Sequence, residues 1–247
     1  MAFGVYPSLA GKAVFVTGGA SGIGEAFVRA FAGQGAKIAF VDLKADDGRA
    51  LAGQLGGWFR VCDVTDAEAL QAAVRDAAAA MGGLDVLVNN VADDTRVAAA
   101  STTAAGWRKA LAVNLDPAFL ASAAACPLMA ARGGVILNIS SINALLGPPD
   151  LSAYVAAKGA VNALTKSLAR EWGGKNIRVN AISPGWVVTP RQLQLWLTPE
   201  AEAEWMKEVA LKRRIQPDDV ARLALFLAAD DSAMITGQNL VIDGGRT

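Results

Sequence analysis

Short runs of Val, Ile and Phe alternate along the chain with longer, alanine-rich stretches whose apolar residues return every three or four positions. "AVFVTG" at 13–18 is followed by "GIGEAFVRAFAGQG" and then by "KIAFVD" at 37–42, a β, α, β succession. The beat continues through "WFRVCDV", "DAEALQAAVRDAAAAMGG", "LDVLVNN", a polar-to-helical stretch at 93–131, "GVILNISS", a helix over about 152–172, "IRVNAISPG" and "NLVIDGG". Continuous apolar runs suit strands buried on both faces, and parallel strands need helical crossovers between them. The pattern therefore predicts an α/β fold, a doubly wound parallel sheet with helices on both faces. No linker interrupts the alternation, so one domain over 1–247 is expected. Pro/Gly clusters at 147–149 and 184–190 follow predicted strands, where an open sheet of this kind places its ligand loops.

Composition sharpens the picture mainly by exclusion. Hydrophobic residues make up 53% of the chain and charged residues 19%, which suits a globular core. Lys plus Arg equals Asp plus Glu at 23 each, so neither nucleic acid nor an anionic membrane is expected as a partner. Cys62 and Cys126 are too few for a disulfide framework or a four-ligand zinc site, which fits a reducing compartment. The opening "MAFGVYPSLAGK" lacks the basic and apolar regions of a leader, and no apolar run of roughly 18 residues is apparent. A soluble, cytoplasmic chain is expected. The absence of histidine removes Ser-His-Asp and Cys-His hydrolysis and every His-ligated metal site, so no metal is expected. Any proton moved near neutral pH must be moved by another group.

Two stretches carry candidate chemistry. "TGGASGIG" at 17–24 ends the first strand and opens the first helix, with spacing Gly18-x-x-x-Gly22-x-Gly24. Glycines let backbone N–H groups approach a pyrophosphate, and the helix N-terminus favours the negative charge; a tight strand-to-helix turn is the plainer alternative. Asp42 ends the next strand, placed to accept bonds from ribose hydroxyls and to repel a 2′-phosphate, which favours NAD over NADP; Lys44 nearby would favour the opposite. In "SAYVAAKG" at 152–159, Tyr154 and Lys158 stand one helical turn apart on one face, so the ammonium is expected to lower the pKa of the phenol. Ser141, thirteen residues earlier, is placed to donate to a reacting oxygen, and Asn89 and Asn114 fall near strand or helix ends; singly, each also suits a cap or turn.

Together these residues, with "CDV" at 62–64, "NNVA" at 89–92, "SPGWVVT" at 183–189 and "IDGG" at 242–245, resemble the short-chain dehydrogenase/reductase family from about residue 8 to the end. The resemblance implies a single-domain Rossmann fold with a seven-stranded sheet, usually a homotetramer, using NAD. It implies a cofactor site of Gly18, Ser21, Gly22, Ile23, Gly24, Asp42, Asp63, Val64, Asn90, Tyr154, Lys158, Pro184, Gly185, Val187 and Thr189, with Asp63 at the adenine and Asn89 towards the adenosine side. Tyr154 would be the base for alcohol oxidation, Ser141 would position the oxygen, Lys158 would hold the ribose and tune Tyr154, and Asn114 would support a water-linked proton path. The family's usual Asn-Asn-Ala-Gly reads Asn-Asn-Val-Ala here, with extra bulk at Val91 and Ala92.

Outside these motifs, "YPSLAGK", "DDTR", "RQLQLWLTPEAE", "LKRRIQP" and "LFLAADD" are similar to bacterial aldose 1-dehydrogenases. That likeness implies oxidation of an aldose such as D-xylose at C1 to a lactone. A polyol exchanges bonds to water for bonds to protein, so its site needs many polar groups and an apolar face. Asp93, Asp94, Ser141, Asn143, Tyr154, Trp186, Arg191, Gln192 and Trp196 are the candidates, and 190–212 reads as a mobile cover over the site. Arg191 also suits a cofactor phosphate or a carboxylated substrate. The alternatives are a sugar-acid dehydrogenase, a 3-oxoacyl thioester reductase, or a nucleotide-sensing protein without turnover.

Overall fold

The computed structural model describes residues 3–247. Seven parallel strands form one sheet: β1 (Ala13–Thr17), β2 (Lys37–Asp42), β3 (Trp58–Val61), β4 (Val86–Asn89), β5 (Gly134–Ile139), β6 (Ile177–Pro184) and β7 (Asn239–Ile242), in the order β3-β2-β1-β4-β5-β6-β7. The helices are α1 (Gly22–Gly33), α2 (Ala45–Leu55), α3 (Ala67–Met81), α4 (Ala104–Asn114), α5 (Asp116–Met129), α6 (Asn143–Leu146), α7 (Ser152–Trp172), α8 (Pro190–Leu195), α9 (Pro199–Glu208) and α10 (Pro217–Ala228). Successive side chains of a strand point to opposite faces. In β1, Val14 and Val16 accordingly join Phe27 and Phe31 of α1 and Leu225 of α10, while Phe15 joins Leu70 of α3, Met129 of α5 and Leu168 of α7. Both faces are covered, which explains why the strands read as unbroken apolar runs.

The expected doubly wound, seven-stranded sheet is present. The chain winds outward from β1 to β3 and then returns to place β4 on the other side of β1. Helices after β1 and β4 leave to different faces, and a crevice opens beyond the carboxyl ends of these strands. The turn after β1 reaches it by close packing: Gly18 and Gly22 have φ of +68° and +60°, and a Cβ on Gly24 would collide with the Gly18 carbonyl. Glycine at 24 thus lets α1 start directly against the end of β1.

A buried polar chain sets the depth of α7. The Asn89 amide donates to Ser122 Oγ (3.1 Å) and Asn138 Oδ1 (2.8 Å), and Asn138 Nδ2 donates to Thr165 Oγ1 (2.9 Å). These bonds tie α5, β4, β5 and α7 together. Tyr154, Lys158, Val161 and Thr165 lie four, three and four residues apart, so they share one face of α7.

Some local expectations change. The 93–131 stretch resolves into α4 and α5, broken at Leu115 two residues before Pro117, whose missing N–H leaves nothing for a helix to lose there. Ala104–Met129 as a whole is long and apolar enough to cross a membrane by length and composition alone, which the sequence reading did not expect; α5 buries Ala121, Ala125 and Met129 in the core. β3 ends at Val61, which frees 62–64 to line the crevice. Helices α2 and α10 were not singled out from sequence, and the cover at 190–212 divides into α8 and α9.

Gly24→Ala is expected to destabilise the fold by about 1–3 kcal/mol through overpacking against backbone. A urea melt followed by circular dichroism measures it; an unchanged midpoint would show that α1 can shift without cost.

Candidate active site

The crevice has two lobes. A cavity of about 460 Å³ is walled by Gly18, Ser21, Gly22, Ile23 and Gly24 from the turn, Asp42 and Lys44 after β2, Cys62, Asp63 and Val64 after β3, and Asn90 to Ala92 after β4. A second, of about 670 Å³, is walled by Ser141, Asn143, Tyr154, Gly185, Trp186, Val187 and Gln192, with Asp94, Arg96, Asp150, Trp205 and Arg246. Ile23, Ala92, Thr189 and Arg191 line both, so the lobes meet there.

The first lobe suits a dinucleotide. Asp42 receives N–H bonds from Ala20 (2.9 Å) and Lys44 (3.0 Å), one on each oxygen, and each oxygen keeps a second lone pair for a ribose hydroxyl. Lys44 Nζ lies 3.8 Å from Asp47. Asp63 accepts from the Thr65 N–H and hydroxyl, which hold its carboxyl below the usual range. Burial, followed by the charge of Asp63, pushes the Cys62 thiol up, so the thiol beside it stays protonated. Asn90 Nδ2 donates to the carbonyls of Thr17 and Gly18 and fixes the turn.

The second lobe gathers the hydroxyls. Ser141 Oγ accepts from the Asn143 N–H at 3.1 Å, which leaves its own proton to donate, and it hydrogen-bonds Tyr154. Lys158 is buried beneath, with Nζ donating to the Ile139 carbonyl at 2.7 Å and lying 5.8 Å from the Tyr154 ring centre. Burial pushes the Tyr154 phenol up to about 12; the Ser141 bond lowers it and the Asp94 charge raises it. Burial lowers the Lys158 amine to about 8. The expected lowering of the phenol by its neighbouring amine is therefore not what dominates: desolvation outweighs it, and the ammonium itself is weakened. Such a pair can hold a proton on the phenol and gives it up once positive charge or an ionised partner is brought alongside.

The remaining expected residues fall into distinct places. Asn114 accepts from the Asp93 N–H (2.9 Å) and donates to the Asp93 carbonyl (3.0 Å), fixing that loop; with Lys158 it also borders a void of about 10 Å³. Asn89 is buried and spends its amide on Ala118, Ser122 and Asn138, away from the first lobe, which corrects its expected adenosine contact. Pro184 is buried at the end of β6, where its carbonyl accepts from Ile142. Arg191 donates to Asp93 (2.8 Å) and Asp94 (3.3 Å), Gln192 donates to Asp94 (2.6 Å), and Trp186 Nε1 donates to Gln192 (2.7 Å), so these expected sugar contacts are bonded to one another. Trp196 stands off the second lobe, beneath the Arg96 guanidinium at 4.6 Å.

Two wall residues in particular, Trp205 and Arg246, escaped sequence reasoning. Trp205 meets Trp186 edge to face with ring centres 5.6 Å apart, and Arg246 lies over Trp205 and pairs with Glu208. Arg246 reaches the wall because the tail turns back: Asp243 accepts from the N–H groups of Gly245 and Thr247. No local pattern signals that return, whereas the indole of Trp205 on an otherwise polar α9 was a usable sign.

Comparison with known proteins agrees with this geometry. A family model described as enoyl-(acyl carrier protein) reductase matches residues 18–247. The chain is similar to "Probable galactose dehydrogenase GalD" of Rhizobium meliloti, at 47% identity over 97% of this chain and 96% of that one. It is similar to D-xylose 1-dehydrogenase of Caulobacter vibrioides, at 42% identity over 99% of each. A solved 7α-hydroxysteroid dehydrogenase complexed with NADH and 7-oxo glycochenodeoxycholic acid superposes with a TM-score of 0.91, at 33% identity over 97% of this chain and 96% of that one.

The buried amine yields a pH signature. Because the folded Lys158 pKa lies below its unfolded value, the unfolded chain holds more protons between about pH 8 and 10.5, and this residue makes stability rise across that window. Relative to Lys158→Met, the native protein is expected to gain roughly 1–2 kcal/mol between pH 7 and 9.5. Denaturant melts of both proteins at the two pH values check this; parallel changes would place the amine in contact with water.

Proposed function

The chain belongs to the short-chain dehydrogenase/reductase family and is an oxidoreductase acting on a CH–OH group, and from that premise we propose that it oxidises a neutral monosaccharide, an aldose such as D-xylose or a related sugar, at C1 to the lactone with NAD. The observation that carries the reading is Tyr154: a half-buried phenol, hydrogen-bonded with Ser141, in the wall of a lobe that opens onto the glycine turn. The nicotinamide cofactor, when bound, supplies the hydride acceptor. Gly18, Ser21, Gly22, Ile23 and Gly24 would hold its phosphates, Asp42 its adenosine ribose, Asp63 and Val64 its adenine, and Asn90, Gly185, Val187 and Thr189, which line the two lobes, its nicotinamide half.

In this mechanism Ser141 donates to the sugar oxygen and holds it against Tyr154. Tyr154 removes the C1 hydroxyl proton, and its negative charge is balanced by Lys158 below the ring. Asn114, which borders the same small void as Lys158, keeps a water-sized route open for proton exchange. Trp186 and Trp205 offer an apolar face to the sugar's C–H groups, and Asn143, Gln192 and Asp94 offer hydrogen bonds.

The charge arrangement favours a neutral substrate over a sugar acid. Arg191 is paired with Asp93 and Asp94, and Arg246 with Glu208, so a carboxylate would have to displace partners already in place. Among the described residues that wall this lobe, only Arg96, exposed at the rim and stacked on Trp196, offers a cation without a carboxylate. Relatives named as galactose, D-xylose and D-threitol dehydrogenases support the sugar reading. The reading takes the chain as a single unit with 190–212 as its cover, working as a cytoplasmic homotetramer; exposed Trp107 and Phe119 on α4 and α5 support self-association.

Absorbance of NADH during a screen of pentoses, hexoses, alditols, aldonic acids and 3-hydroxyacyl thioesters tests this directly. Turnover with neutral aldoses is expected to exceed the rest, and activity confined to acids or thioesters would reject it. Tyr154→Phe is expected to bind NADH as before and to lose about 10²–10⁴-fold in turnover; retained turnover would move the base elsewhere. Asp42→Ala is expected to shift the kcat/KM ratio towards NADP by about tenfold or more, measured with both cofactors on one sugar; a constant ratio would remove the ribose contact.

A further inference from the structure

The four polar residues that bridge loop 93–94 to α8 lie far apart in sequence yet meet over the waist of the crevice. Arg191 spans Asp93 and Asp94, and Gln192 holds the second oxygen of Asp94 while accepting from Trp186. Arg191 lines both lobes, at the point where a ligand running from Asp42 to Tyr154 must pass. The segment it belongs to has little else to hold it: neither α8 nor α9 contains a buried residue, and the apolar anchors are Leu197 between them and Val209 beyond. Elements with few buried contacts open locally at low cost, so polar bonds across the gap account for much of their closure.

We propose that Arg191 is a positioning residue that, with Gln192, latches the cover to Asp93 and Asp94 across the bound dinucleotide, so that departure of the reduced cofactor requires this latch to open. The inference rests on the reading of the first lobe as a dinucleotide site. The pairs are half exposed, with side-chain exposure of 49% for Arg191 and 44% for Asp93, so salt should loosen them. Both partners of the latch reside in this chain, so it closes with no ligand bound.

Stopped-flow release of NADH, chased with excess NAD and followed by energy transfer from tryptophan, tests the proposal. For the native protein the release rate is expected to rise several-fold between 50 and 500 mM NaCl. In Arg191→Met it is expected to be about tenfold faster at low salt and to lose most of its salt dependence, while Arg191→Lys falls between the two. Single-turnover hydride transfer with saturating NAD and sugar is expected to fall much less than release accelerates. A release rate in Arg191→Met equal to the native one, or an equal loss in the chemical step, would overturn the latch. Failure of the native protein to bind NADH at equilibrium would instead overturn the dinucleotide reading beneath it.

Discussion

The alignment of the second lobe's hydroxyls depends on where α7 sits, and α7 is held by a buried chain of amides and a hydroxyl. Asn89 reaches Asn138, Asn138 reaches Thr165, and Thr165 lies two turns along the helix from Lys158 on the same face. Buried polar groups favour the arrangement that gives them partners, and here every side-chain bond of Asn89 is made by its amide nitrogen while its Oδ1 is left without one, whereas purely apolar packing tolerates small slides. A slide of α7 by a fraction of a turn would break the Asn138 bond and carry Tyr154 away from Ser141. Asn89, read from sequence as facing the adenosine side, is instead part of what aligns the wall of the site.

Burial has a cost, and that cost is part of the chemistry. The amine of Lys158 is withdrawn from water and the phenol of Tyr154 partly so, and each is pushed towards its neutral form. At neutral pH the amine, lowered to about 8, still keeps its charge, while the phenol, raised to about 12, keeps its proton until further positive charge is brought alongside. The Lys158 bond to the Ile139 carbonyl gives the amine a partner at the end of β5, so the strand that positions Ser141 also positions the amine. Three groups are thus referred to one strand end and one helix face, which leaves the hydroxyl of Tyr154 little freedom.

The sheet was legible because its signal is local: buried strands are apolar at every position, and the glycines after β1 announce a turn that only they can make. Ser141, Tyr154 and the glycine turn were legible for a similar reason, since strand ends and helix spacing place them. What was hidden depended on contacts between distant residues. The sequence could name Asp93, Asp94, Arg191 and Gln192 as polar groups near the crevice but not that they would bond to each other, because those bonds join positions 97 and 98 residues apart. Arg246 was invisible because only the folding back of the tail brings it to the wall, and the raised phenol pKa was invisible because desolvation depends on everything packed around it.

The site is consequently built from two materials. Its floor is the sheet edge and α7, fixed by buried hydrogen bonds and by side chains with no exposure, where local opening would cost much of the fold. Its roof is α8 and α9, stitched by Arg191 to Asp93 and Asp94, by Arg214 to Glu202 and by Arg246 to Glu208, with at least one partner in each pair well exposed. Exposed ion pairs contribute little individually, so the roof is held by several weak contacts that can yield in turn. On the proposed reading, a floor that does not move would keep the hydroxyl of Tyr154 aligned, while a roof that yields would let a ligand as large as a dinucleotide come and go without disturbing it.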